Sequence, residues 1–87
     1  MKILIDNKYR IASDSMQYIL QEKKTVREGE KEGEEYWVNV GYYGKIYNAL
    51  QSYKELQIKN SNVTTIDELM KLIKNLDNKI EQLLKGN

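Results

Sequence analysis

Apolar residues recur at two periods along this chain: every second position in the first half, every third or fourth in the second. Residues 2–6 place Ile3 and Ile5 on one side, and residues 9–12 place Tyr9 and Ile11 on one side. With Asp6-Asn7 between them, this predicts a short β-hairpin closed by a two-residue turn, since Asp and Asn tolerate the left-handed backbone such turns need. Ser13-Asp14-Ser15 marks a second turn or a helix cap. Residues 16–26 fit two patterns: Met16, Ile19, Leu20 and Lys23 have helical spacing, whereas Met16, Tyr18 and Leu20 alternate as a strand does. We favour the strand. The downstream run Tyr36, Val38, Val40 and Tyr42 alternates cleanly, is β-branched or aromatic, and needs an antiparallel partner. Trp37, Asn39, Gly41 and Tyr43 then share its other, partly solvated face. The connection from Arg27 to Glu34, with two glycines and dense charge, predicts an exposed hairpin tip.

After Gly44 the period changes. Ile46, Ala49, Leu50, Tyr53 and Leu56 predict a helix over about 45–59 that lays this side on the sheet and turns Lys45, Asn48, Lys54 and Glu55 to water. Asn60-Ser61-Asn62 ends it, because these side chains compete for backbone hydrogen bonds. Thr65-Ile66-Asp67-Glu68 reads as a capping box, with Thr65 accepting from the Glu68 amide and Glu68 reaching back to the Thr65 amide. The second helix carries Ile66, Leu69, Ile73, Leu76, Ile80 and Leu83, a heptad seam that stops at Gly86 with Lys85 near the negative end of the dipole. The expected fold is α+β: an antiparallel sheet of about four strands in two hairpins, covered by one helix and followed by a C-terminal heptad-patterned helix. Residues 1–62 form the sheet and first helix; residues 63–87 are an association element of the same single domain.

Ile at each first heptad position and Leu at each fourth favours two parallel helices, which makes the seam residues a homodimer interface. The same stripe also suits packing on the chain's own sheet, and Met70, Leu72 and Leu84 widen it beyond a two-stranded seam. One helix has room for both contacts.

Composition narrows the chemistry. The 87 residues include no Cys, His, Pro or Phe, which removes disulfides, thiolate and imidazole metal sites, and every nucleophile that depends on His or Cys. The expectation is a non-enzyme with no cofactor and no metal site. A core of this size supplies only a few kcal/mol of net stability, so buried area from a second copy or another protein is a physical expectation. A net charge of +1 supplies no long-range field toward phosphate backbones and disfavours nucleic acid as a partner. Without an apolar run near the ~20 residues of a membrane span, or an N-terminal apolar region long enough for a signal peptide, the expected location is the cytoplasm of a host cell.

What remains are contact residues. Glu28, Glu30, Glu32, Glu34 and Glu35 make the predicted tip acidic, diluted by Arg27 and Lys31. Seven Tyr and one Trp, with no Phe, mean that every aromatic ring carries a polar atom needing a partner when buried, a composition suited to interfaces. Trp37, Tyr43 and Tyr47 form a candidate aromatic patch beside Lys23, Lys24 and Lys45, the combination that stacks single-stranded bases while touching phosphates. Gly41-Tyr42-Tyr43-Gly44 lacks the Lys and Ser/Thr of a phosphate loop.

Lys8-Tyr9-Arg10-Ile11-Ala12-Ser13-Asp14, Tyr18-Ile19-Leu20, Gly33-Glu34-Glu35-Tyr36-Trp37, Val40-Gly41-Tyr42-Tyr43 and Ala49-Leu50-Gln51-Ser52-Tyr53 together resemble a family of small uncharacterised phage and prophage proteins of Gram-positive bacteria. The resemblance implies a mobile-element origin and a sheet followed by helices, and no catalytic residue. By analogy of origin, the expected function is inhibition of a host anti-phage defence, such as CRISPR-Cas or another immune nuclease, through contact with a host protein. The alternative is an accessory protein of phage DNA replication or recombination that binds either single-stranded DNA or a DNA-processing enzyme.

Overall fold

A computed structural model describes residues 1–86. Four strands, β1 (Lys2–Leu4), β2 (Tyr9–Ser13), β3 (Tyr18–Thr25) and β4 (Glu35–Tyr43), precede two helices, α1 (Ile46–Lys59) and α2 (Ile66–Leu84). The strands form one antiparallel sheet in the order β1-β2-β3-β4, a meander in which each strand pairs with its sequence neighbour. This is the α+β class read from the pattern, with residues 18–25 a strand. Two compact units divide at Ala49/Leu50, inside α1.

The first two connections are built on the same device. Asp6 accepts from the amides of Lys8 (2.8 Å) and Tyr9 (2.7 Å), and Asp14 accepts from those of Met16 (2.8 Å) and Gln17 (2.9 Å). Each aspartate thereby satisfies amides that the reversing backbone leaves unpaired. The first connection is longer than the expected Asp6-Asn7 turn, because β1 ends at Leu4 and the chain reverses over residues 5–8. The third connection is the charged tip, closed by the Val26 amide on the Glu34 carbonyl (2.9 Å) and the Gly33 amide on the Val26 carbonyl (2.9 Å). Gly33 sits at φ +90°, where a side chain would be strained.

One irregularity redirects the whole of β4. Leu20 pairs with Gly41 but Gln21 pairs with Asn39, so Val40 is an extra residue, a β-bulge. An insertion of one residue exchanges the two faces of the strand beyond it. The expected single faces of β4 are therefore wrong. Tyr36 and Val38 share a face with Leu20, but beyond the bulge it is Gly41 and Tyr43 that continue that face. Trp37 and Asn39 lie on the other side, joined there by Tyr42. The Leu20 side holds Tyr9, Ile11 and Leu20, all at most 5% exposed, whereas Ala12, also buried, lies on the Trp37 side. Tyr43 lays its ring over Gly41, leaving no space for a Cβ there.

In α1, Ala49, Leu50 and Tyr53 are buried as their spacing requires. The Ser61 hydroxyl donates to the Ile58 carbonyl (2.7 Å) at its end. α2 begins at Thr65, whose hydroxyl accepts from the Glu68 amide (3.1 Å); the Glu68 carboxylate takes the amide of Thr64 (3.3 Å), one residue before the expected Thr65. Gly86 follows the helix at φ +75°, with its amide on the Leu83 carbonyl. Leu76 is buried, and its neighbours are held by α1: Lys54 pairs with Asp77 at 2.7 Å, and Lys79 donates to the Tyr53 hydroxyl at 3.4 Å. Lys54, expected to face water, is thus drawn into an ion pair. The centre of the heptad stripe packs within the chain.

Candidate functional site

The Trp37 side of the sheet concentrates functional groups. Alternation of in and out positions brings Arg10 from β2, Gln21 and Lys23 from β3, and Trp37, Asn39 and Tyr42 from β4 onto this one face. Lys23 is directly opposite Trp37 in the register, and its ammonium lies 5.3 Å from the ring centroid. The Arg10 guanidinium lies over the same ring at 4.2 Å. Two cations on one indole are attracted by the negative face of its π system, and each contact of this kind contributes about 0.5–1 kcal/mol at an exposed site.

Beside the indole runs a row of hydrogen bonds across three strands. Arg10 Nε donates to Gln21 Oε1 (2.7 Å), Gln21 Nε2 to Asn39 Oδ1 (2.7 Å), and Asn39 Nδ2 to the Tyr42 hydroxyl (3.1 Å). Every link fixes the next: an amide that donates through nitrogen must accept through oxygen. The row needs the bulge, because without Val40 as an extra residue Tyr42 lies on the opposite face from Asn39. Tyr42 is 58% exposed, while Arg10, Gln21, Lys23 and Trp37 are half-buried.

The expected contact residues do not all meet. Glu28, Glu30, Glu32 and Glu34 are exposed in the tip, and Glu35 opens β4 with its carboxylate 3.9 Å from Lys23. Trp37 is on the face just described, whereas Tyr43 is on the Leu20 side, so the two do not form one stacking patch. Lys24 likewise points to the Leu20 side, where it pairs with Glu22 at 2.8 Å. Tyr47 is exposed in the first turn of α1. Of the seam residues, Ile66 is largely exposed, Leu69, Ile73, Ile80 and Leu83 are half-buried, and Leu76 is buried. Arg10, Gln21, Asn39 and Tyr42 are absent from the expected set. The signal that points to them is Gly41, since glycine inside a strand often marks a bulge.

On the Leu20 side, Glu22 accepts from the Tyr9 hydroxyl (2.7 Å) and pairs with Lys24 (2.8 Å) and Lys8 (3.5 Å). The Lys24 hydrogen bond first, then that of Tyr9, hold the Glu22 carboxyl below its ordinary range. Burial, reinforced by the bond to Glu22, pushes the Tyr9 phenol up to about 12. Tyr9 and Glu22 are largely buried and bonded to each other, with the two lysines at the rim, so this cluster serves the fold. Among the described residues, no group of three or more His, Cys, Asp or Glu side chains could hold a metal ion, and no helix is long and apolar enough to cross a membrane.

A four-stranded meander followed by two helices, with an aromatic-cationic row on one sheet face, defines a small α+β protein. The chain belongs to the family described as Domain of unknown function (DUF5405), whose model matches residues 3–85. It is similar to an uncharacterised 10.4 kDa protein from the GpA 5′ region of Escherichia phage 186, with 33% identity over 86 residues, 99% of this chain and 94% of that protein. An uncharacterised 10.2 kDa protein from the GpA 5′ region of Escherichia phage P2 is 44% identical over 46 residues, 53% of this chain and 50% of that protein. No solved structure gives a significant match. The phage association agrees with the resemblance read from the sequence; its Gram-positive part has no support, because these relatives come from Escherichia phages.

Proposed function

We propose that this phage protein is a non-enzymatic binding protein that inhibits a host anti-phage defence, a CRISPR-Cas system or another immune nuclease, by gripping one of its proteins. The observation that carries the reading is the half-buried Trp37 indole held under Arg10 and beside Lys23 on one sheet face. Trp, Tyr and Arg are the residue types that dominate protein–protein binding energy, and here they are pre-positioned by strand register and hydrogen bonds, which lowers the ordering cost of association. The exposed acidic tip extends this surface beyond the β3–β4 end. The exposed Ile66, Met70 and Leu84 of α2 are apolar area for a second copy of the chain.

Two arrangements weigh against the alternative, a single-stranded DNA-binding accessory protein. Arg10 covers a face of the indole that a base needs for stacking, and Trp37 and Tyr43 lie on opposite sides of the sheet.

The test is phage plating on Escherichia strains that each carry one defence system, with and without the protein. The reading predicts that plating recovers on at least one strain, and that Trp37→Ala loses the recovery while its thermal midpoint stays close to wild type. Failure to recover plating on any strain, or recovery with oligothymidylate binding at ~0.15 M salt that weakens steeply as salt rises, contradicts it.

A further inference from the structure

We infer that the Trp37 face is a docking site for an acidic protein segment, whose carboxylates take up the unused donors of Arg10, Lys23, Trp37 and Tyr42. This rests on the protein-contact reading above and adds the chemistry of the partner.

The inference comes from what the row of side chains leaves over. Arg10 commits Nε to Gln21, and among the described residues its terminal nitrogens make no hydrogen bond or ion pair. The Trp37 indole N–H has no acceptor among them. The Tyr42 hydroxyl accepts from Asn39, which leaves its own proton to give outward. Lys23 is 3.9 Å from Glu35, too long for a hydrogen bond, so its ammonium protons are uncommitted. The amide oxygens of Gln21 and Asn39, by contrast, each already accept one hydrogen bond. The remaining capacity of the row is mainly donation, centred on two positive charges, and among the described residues Glu35 is the one carboxylate paired to them.

A partner covering such a surface must bring acceptors, because each donor buried without one loses its water and gains nothing. A purely apolar segment fails on that count. A second copy presenting the same face about a two-fold axis sets Arg10 and Lys23 of one chain against those of the other, like charge against like. A carboxylate meets both requirements, since it accepts twice from the terminal nitrogens of Arg10 and neutralises its charge. Phosphates also accept, but a nucleic acid gains its affinity here from few cations, and Arg10 already occupies the ring against which a base stacks.

The experiment uses the full chain labelled with ¹⁵N, following the Trp37 indole N–H and the Arg10 Nε–H signals. The probes are a short Asp/Glu-rich peptide, the same peptide with Asn/Gln in place of Asp/Glu, and an oligothymidylate of equal charge. The inference predicts saturable shifts of both signals with the acidic peptide alone, weakened by salt and about tenfold weaker in affinity in Arg10→Gln. It is overturned if the acidic peptide moves neither signal, or if the oligothymidylate moves them at equal or lower concentration. Shifts that track protein concentration without any probe give the face to a second copy and overturn it as well. Plating recovery that needs Trp37, combined with indifference to the acidic peptide, removes this inference alone. Absence of plating recovery removes the inhibitor reading and leaves the peptide result to stand by itself.

Discussion

At the scale of single residues, Glu22 and Tyr9 tie stability to pH from both sides. The folded state holds the Glu22 carboxyl below its ordinary 4.5, so its contribution is present above that value and is lost as pH falls through the folded value. Asp14, held down chiefly by the Met16 amide, adds to the same acid limb below its ordinary 3.8. Tyr9 acts in the opposite direction: with its phenol raised from 10.0 to about 12, its contribution is complete below pH 10 and is lost as pH rises toward 12. Thermal midpoints measured across pH should therefore show a plateau that falls at both ends. Tyr9→Phe should cost about 1 kcal/mol at neutral pH and flatten the alkaline fall. Gly41 gives a second test at this scale. Gly41→Ala drives a methyl into the Tyr43 ring and should destabilise by about 1–3 kcal/mol, a cost that shrinks in the Tyr43→Ala background because the obstructing ring is gone. Equal costs in both backgrounds in denaturant melts rule out that packing.

At the scale of elements, alternation and three-and-four spacing made the strands and both helices legible, most firmly where one side is buried, as in β2 and α1; β1 is exposed at all three of its residues. The pairing of β3 with β4 followed from the need of Tyr36, Val38, Val40 and Tyr42 for a partner. What alternation hides is the bulge, since a single extra residue leaves the pattern intact on either side while exchanging the faces beyond it. That Trp37 shares a face with Asn39 was therefore legible, but its association with Tyr42 rather than Tyr43 was not. Arg10 stayed hidden for a different reason: a charged residue between Tyr9 and Ile11 reads as solvated, and only the register shows which ring it covers. The stripe on α2 is ambiguous by nature, because a helix packed on its own chain and one packed on a neighbour need the same spacing. Separate substitutions divide its roles. Leu76→Ala should cost about 2–5 kcal/mol in denaturant melts, as expected of a leucine buried within the chain. Ile66→Asp with Met70→Asp, at two exposed positions, should leave the melt nearly unchanged and lower the mass seen by light scattering. A wild-type mass already equal to one chain removes self-association from the account.

At the scale of the whole molecule, near-neutral charge and the absence of His and Cys direct attention to surfaces. A +1 chain has little long-range steering, so the proposed contact relies on short-range complementarity. The Trp37 face meets that description: three strands contribute to it, the register sets its geometry, and the bulge in β4 brings Tyr42 into the row. The Asp turns and the Glu22 cluster stabilise the sheet that holds those side chains in place. The most direct measurement is quantitative retention of bacterial proteins, from an extract of Escherichia, the host of the relatives' phages, on immobilised wild type and on Trp37→Ala, with matched thermal midpoints. The account predicts one protein retained by wild type and reduced about tenfold or more by the substitution, the loss expected when an anchoring Trp is removed. Equal retention by both proteins would contradict it.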